Sequence, residues 1–219
     1  MAESKKATLG YWGFRGAAQC LRNLAHYLNI PFENKLYTDP NVWFQQDKPS
    51  LKSDFPNLPY LVDGDKVITE SEAIAVYFVF KSGKLDLLGS SADERVNLAQ
   101  VRGVYVDMRK EFFEIIFNKA VPDVHKAFEE KVLPKLVLLS KHLGTNEFLI
   151  GKLSWLDFSL AESVALIKHQ DGDWLASLPN LKDHSERVQG LPGVKEYLAS
   201  GDHPKLFMNP ASVHEKIKI

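Results

Sequence analysis

The stretch Asp54-Phe55-Pro56-Asn57-Leu58-Pro59-Tyr60-Leu61-Val62-Asp63-Gly64, which runs on through Lys66-Val67-Ile68-Thr69-Glu70-Ser71-Glu72-Ala73, decides the fold of this chain. Two short apolar runs, Tyr60 to Val62 and Lys66 to Thr69, flank Asp63-Gly64. That dipeptide tolerates the positive φ angles of a tight hairpin turn, so the runs are expected to be neighbouring antiparallel strands. Behind them, Ala73, Ile74, Val76, Tyr77 and Phe80 repeat at helical spacing. Ser71 is placed to cap that helix and Gly83 to end it.

Upstream, Ala7 to Tyr11 is a short apolar run, and Gly16 to Asn29 carries apolar residues at Ala17, Leu21, Leu24, Ala25 and Leu28, one face of a helix. Pro31 stops that helix, and Phe32 to Tyr37 alternates again, giving strand, helix, strand with the two strands parallel. The order is βαβ, an irregular segment, then ββα: a small mixed sheet with helices packed on it. After Gly89 strand-like alternation ends, and Arg95 to Asn118, Val124 to Leu143 and Asp157 to His169 are helical in period. The expected organisation is an α/β domain over residues 1–84, a linker at 85–92 and an all-α domain over 93–219.

Composition excludes several function classes. The chain has 219 residues, 45% apolar and 25% charged, enough for one large core or two smaller ones and too apolar for dominant disorder. Lys+Arg 27 against Asp+Glu 28 leaves a net charge of -1, so no broad basic surface invites nucleic acid or an acidic membrane. A single cysteine excludes an internal disulfide, and no Cys/His cluster has zinc-ligand spacing. The first residues, MAESKKATLGYW, lack the apolar core of a secretory signal, and no apolar run approaches the roughly 18 residues of a membrane span. A cytoplasmic protein without a metal, contacting neither nucleic acid nor membrane, is the expectation.

Leu9-Gly10-Tyr11-Trp12, followed by Phe14-Arg15-Gly16, resembles the start of the cytosolic glutathione S-transferases, most closely the mu class. The decisive stretch from Asp54 to Gly64, with Ile68 to Ile74 behind it, resembles the glutathione-binding core of that family. Gly151-Lys152-Leu153-Ser154-Trp155-Leu156-Asp157 resembles its folding motif in the second domain, and Pro179-Asn180-Leu181 fits the following segment. The resemblance implies a thioredoxin-like N-terminal domain (βαβαββα), an all-helical C-terminal domain and a homodimer. It also implies glutathione as co-substrate with no tightly bound cofactor, and hydrophobic electrophiles as the second substrate, as in detoxification. Other activities within that architecture are glutathione-dependent isomerisation or peroxidation, and a noncatalytic glutathione-binding or structural role.

By the same resemblance Tyr11 is catalytic, its phenol donating a hydrogen bond to the glutathione thiolate, whereas residue type alone favours an aromatic plug at a strand end. Leu58 and Pro59 match a cis-proline step that turns main-chain groups toward the cysteinyl part of glutathione, with Asn57 in the same loop. Ser71 opens a helix whose N-terminus suits the γ-glutamyl carboxylate, and Glu70 stands where the mu class commonly has glutamine. Trp43 and Lys48 match the glycyl-carboxylate contacts by type; their segment, 39–52, is shorter at its front than the usual mu loop and has one extra residue between Trp43 and Asn57. Trp12 is expected to pack and face the ligand, and Arg15 to support a positive field or join an ion pair. Asp107 matches an acid that reaches the ligand's ammonium from a neighbouring subunit, and Phe113 and Phe117 are expected as walls of the electrophile pocket. Phe117 falls where mu enzymes often carry a tyrosine. Cys20 reads as buried filler, and Ser154 with Asp157 reads as a structural capping box. His125, His142, His169, His184, His203 and His214 share no motif, and most are expected at the surface.

The energetic task is modest. Lowering a thiol pKa from about 8.5 by about two units needs roughly 2.7 kcal/mol, and one hydrogen bond to a charged acceptor supplies roughly 1.5 to 3. A less basic thiolate is a weaker nucleophile, with a Brønsted coefficient of about 0.4 to 0.5, so holding the sulfur beside its target has to contribute as well.

Overall fold

The computed structural model describes residues 6–209; His214 lies outside them. Two compact units emerge: the chain up to Lys84 together with Pro192–Phe207, and Leu85–Leu191 with the chain from Met208 onward. One boundary between them falls after Lys84, and residues 192–207 side with the first unit rather than with the helices that precede them.

The first unit contains β1 (Ala7–Trp12), α1 (Gln19–Tyr27), β2 (Phe32–Tyr37), a π-helical turn (Val42–Asp47) running into the single turn α2 (Lys48–Ser50), β3 (Tyr60–Asp63), β4 (Lys66–Thr69) and α3 (Ser71–Ser82). The strand order is β2-β1-β3-β4, parallel between β1 and β2 and antiparallel elsewhere, as the turn and crossover signals require. Side chains alternate along β1, so Gly10 and Trp12 share one sheet face and Leu9 and Tyr11 the other. On the first face Gly10 pairs with Tyr60 and Trp12 with Tyr37. A side chain at Gly10 would begin 2.3 Å from the Tyr60 ring, so only glycine lets that ring lie across β1. Tyr37, Trp43 and Tyr60 form a buried aromatic cluster there, with Trp12, Leu51 and Leu58 packed against it.

Helix α1 begins three residues later than the apolar period suggests. Residues before it are committed elsewhere: the Arg15 N–H donates to Leu206 O at 2.8 Å and the Gly16 N–H to Phe207 O at 2.9 Å. The strap that makes these bonds includes α9 (Val194–Ser200), whose Tyr197 stacks on His26 of α1 at 4.0 Å.

The helical unit contains α4 (Ala92–Phe117), α5 (Val124–Lys131), α6 (Leu133–Leu143), α7 (Trp155–Gln170) and α8 (Pro179–Gln189). A short 3-10 turn, Leu85–Leu88, and the start of α4 occupy the segment expected to be a linker. The single helix expected over residues 124–143 is two, because Pro134 has no N–H to continue the ladder and becomes an N-terminal residue of α6. Its core includes Phe112 of α4 packed edge-on against Phe128 and Trp174, and Asp157 at the start of α7, which is fully buried.

Candidate functional site

Tyr11 lies near the end of β1, where the sheet hands over to the turn before α1, and it is buried. Its hydroxyl oxygen accepts a hydrogen bond from the Ala17 N–H at 3.0 Å. Gly16, at φ 44°, permits this: a Cβ there would stand 2.6 Å from the hydroxyl. Phe14 meets the Tyr11 ring edge-on at 5.7 Å, and the Arg22 guanidinium lies 6.0 Å from the ring centroid. An N–H donated to a phenol oxygen polarises its O–H and fixes its direction, both of which favour donation to an anion.

Arg22 escaped the sequence reading. It is completely buried, donating to Asn34 Oδ1 (3.1 Å), Phe14 O (3.3 Å), Arg15 O (3.4 Å) and Gln19 Oε1 (3.3 Å). By tying the turn's carbonyls to α1 it fixes the peptide that hydrogen-bonds Tyr11. A charged residue beside the apolar stripe of α1 was the available signal. Arg15 sits before the helix rather than in it, buried, with its guanidinium 4.3 Å over Phe207. Cys20, on α1, is half-buried, its thiol donating to Ala17 O at 3.5 Å.

The Leu58–Pro59 peptide is cis. Neither the N–H nor the C=O of Leu58 has a hydrogen-bond partner among the described residues, since the β3 ladder starts at Tyr60. Asn57 is exposed and its Nδ2 donates to Glu70 Oε1 at 3.5 Å. Glu70, not Ser71, occupies the capping position of α3. It holds φ 69° and ψ 124°, a conformation rare for a residue with a side chain, and no side chain caps the helix. Ser71 is the first helical residue, so the cap expected from it is absent, because the chain enters α3 one residue earlier than the serine signal suggests.

Trp43 is buried, stacked on Tyr60 at 5.8 Å with 17° between the rings. Lys48 is half-buried, its ammonium 5.8 Å from the Phe44 ring, and Trp12 packs on Phe44 at 5.9 Å. The extra residue in this segment has a structural outlet. Within the π-helical turn the Lys48 N–H donates to Trp43 O, a five-residue span in place of the usual four. Trp43 and Lys48 therefore stack one turn apart despite the insertion.

The helical unit carries the other named residues on α4. Asp107 is exposed. Phe113 and Phe117 stack at 5.5 Å with 5° between rings, and the Arg109 guanidinium covers Phe113 at 4.5 Å. Their neighbour Phe112, rather than either of them, is the core residue. At α7, Ser154 and Asp157 form the expected capping pair, and His184, expected at the surface, is instead fully buried against Asp157.

Residues 7–79 match the family described as glutathione S-transferase, N-terminal domain, and residues 106–201 match glutathione S-transferase, C-terminal domain. A class-mu 26 kDa glutathione S-transferase of Fasciola hepatica is 33% identical over 206 residues, covering 93% of both chains. The chain belongs to the glutathione S-transferase family. Glutathione S-transferase Mu 1 of Oryctolagus cuniculus is 35% identical, with 88% of this transferase and 90% of that one covered. The crystal structure of the glutathione S-transferase Blo t 8 superposes with a TM-score of 0.82 at 25% identity, covering 94% and 98%. This transferase thus has the thioredoxin-like and helical domains of its family and uses glutathione as co-substrate. Among its described residues no helix is long and apolar enough to cross a membrane.

Proposed function

We propose that this transferase joins the thiolate of glutathione to electrophilic carbon with Tyr11 as the catalytic residue. The observation that carries this assignment is the hydrogen bond from the Ala17 N–H to the Tyr11 hydroxyl. It engages a lone pair of the phenol and so orients the O–H, which this reading assigns to the sulfur. The first unit grips the tripeptide. Leu58 pairs its unpartnered main-chain groups with the cysteinyl residue, as an added strand would, beside the buried Pro59. The γ-glutamyl carboxylate sits at the uncapped N-terminus of α3 with Ser71, where the helix dipole favours negative charge. Glu70 and Asn57 receive the ligand's ammonium and neighbouring polar groups, a carboxylate being able to accept but not donate. Trp43 and Lys48 take the glycyl carboxylate, while Trp12 and Arg15 shape and support the pocket.

The helical unit supplies the electrophile surface through Phe113 and Phe117. Phe117, 44% exposed, gives that wall an apolar ring with no phenolic assistance to the leaving group. The enzyme works as a cytoplasmic homodimer in detoxification, with Asp107 reaching the ligand's ammonium in the partner subunit. Asp107→Ala is expected to weaken glutathione binding several-fold by calorimetry; unchanged affinity would exclude the cross-subunit role.

Turnover of an activated aryl halide tests the central assignment. Tyr11→Phe is expected to lower kcat/KM by about 10- to 100-fold, the worth of one charge-assisted hydrogen bond less the gain in nucleophilicity, while the protein stays on immobilised glutathione. Equal turnover by the two proteins would remove Tyr11 from its role.

A further inference from the structure

The π-helical turn carries a carboxylate for which the chemistry above has no use. Asp47 Oδ2 accepts a hydrogen bond from the Tyr37 hydroxyl at 2.5 Å and pairs with Lys35 Nζ at 2.6 Å. The Tyr37 hydroxyl also meets the Tyr60 hydroxyl at 2.8 Å. A phenol has one proton, and Tyr37 gives its own to Asp47, so Tyr60 is the donor in the second bond. A relay Tyr60 to Tyr37 to Asp47 therefore runs from β3 through β2 into the turn, with Lys35 of β2 closing it.

The protonation states agree with that direction. Hydrogen bonds from Lys35 and then Tyr37 hold the Asp47 carboxyl below its ordinary range. Burial, then the bond to Asp47, pushes the Tyr37 phenol up. The acceptor is an anion and the phenol keeps its proton.

The turn needs such a fastening. A π-helical turn is rare and usually confined to a single turn, so its shape depends on what holds it from outside. Trp43 is held by stacking on Tyr60, which restrains the ring but leaves the far end of the turn unanchored. Lys48 lies at that far end, immediately after Asp47. Its ammonium lies 5.8 Å from the ring of Phe44, itself 55% exposed. The peptide linking Asp47 to Lys48 is held within the turn by the Lys48 N–H donating to Trp43 O and the Ser50 hydroxyl donating to Asp47 O, and it is tied to the sheet by the bonds that the Asp47 carboxylate makes to β2.

We propose that Asp47 is a positioning residue for the glycyl end of glutathione: by locking the end of the π-helical turn to Tyr37 and Lys35, it holds Lys48 one turn from Trp43, where the glycyl carboxylate is received. The inference rests on the assignment of Trp43 and Lys48 made above. Asp47 itself touches no substrate.

Two thiol substrates isolate the effect. Glutathione and γ-glutamylcysteine share the γ-glutamyl group and the sulfur, and only glutathione has the glycine. With an activated aryl halide at saturation, Asp47→Ala is expected to raise KM for glutathione about tenfold, with kcat within about twofold and KM for γ-glutamylcysteine unchanged. Tyr37→Phe, which keeps the ring against Trp43 and removes only the hydroxyl, is expected to act in the same direction and serves where Asp47→Ala does not fold. Equal rises in both KM values, or a fall in kcat alone, would overturn the proposal, because a general loosening of the domain does not distinguish the two thiols. Lys48→Ala separates the layers. If it abolishes the preference for glutathione while Asp47→Ala and Tyr37→Phe do not, the positioning role fails and the glycyl assignment stands. If Lys48→Ala is silent, the glycyl assignment fails and the positioning role falls with it.

Discussion

Two helices in this chain begin with the same kind of sequence, a serine ahead of an acidic residue and an apolar run, and they end up opposite in character. At the start of α7 the cap is made internally. Asp157 Oδ2 accepts from the Ser154 N–H at 2.7 Å and from its hydroxyl at 2.6 Å. Oδ1 accepts from the Leu149 N–H at 2.9 Å and from His184 Nε2 at 2.8 Å. All of these residues are buried. At α3 no side chain caps the helix, the capping position belongs to an exposed glutamate at φ 69°, and Ser71 is already inside the first turn. A saturated helix end is a structural joint, whereas an open one keeps its N–H groups and dipole for a charge that arrives from outside.

The contrast breaks most sharply at Asp157. Asp157→Ala orphans buried donors at Leu149, Ser154 and His184, and is expected to cost about 3–5 kcal/mol in urea unfolding. Glutathione affinity of the folded fraction should be unchanged; a fall in affinity with normal stability would mean that α7 is not merely a joint. Ser71→Ala should do the reverse, weakening glutathione binding by about 1 to 1.5 kcal/mol in calorimetry, close to tenfold, with stability within about 0.5 kcal/mol. A large stability loss there would show that Ser71 caps α3 after all.

A smaller effect concerns what anchors α3 along its side. Asp63, at the end of β3, accepts from the Tyr77 hydroxyl at 2.7 Å and pairs with Lys81, both on α3. The bond to Lys81 comes first among the causes that hold its carboxyl below the ordinary 3.8, with Tyr77 adding to it. A carboxyl whose folded pKa is depressed stabilises fully above the unfolded value and loses that contribution as pH falls through the folded one. Wild-type stability should therefore drop below about pH 4, and Asp63→Asn should flatten that part of the profile while costing about 1 kcal/mol or less at pH 7. A parallel acid limb in both proteins would place the loss elsewhere.

Features with local causes were legible in the sequence. The hairpin from Tyr60 to Thr69 follows from Asp63-Gly64 and two short apolar runs, and it appeared as expected. The Ser154–Asp157 cap could be read because both partners lie within one turn. What could not be read depends on partners far along the chain. The late start of α1 is imposed by bonds from residues 206 and 207. Arg22 is held by Asn34 and by carbonyls of the preceding turn, Asp47 by Lys35 and Tyr37, and His184 by Asp157. The short helix α9 carries too few turns to announce a period, and it packs on α1. At the site, Tyr11, Leu58 and Asn57 were legible as a pattern, but the left-handed backbone of Glu70 and the π-helical turn under Lys48 were not, since both are settled by the sheet they rest on.

The strap formed by Pro192–Phe207 gives this enzyme an unusual order of assembly. The turn that presents an N–H to Tyr11 is closed by Leu206 and Phe207, so the sheet domain, although its strands are translated first, lacks its last main-chain bonds until the chain has passed through the helical unit and reached these residues. The turn beside the Tyr11 hydroxyl thus gains its last bonds only after the helical unit has been translated, and a nascent chain interrupted between the two would carry every strand of the sheet without the contacts that Leu206 and Phe207 supply.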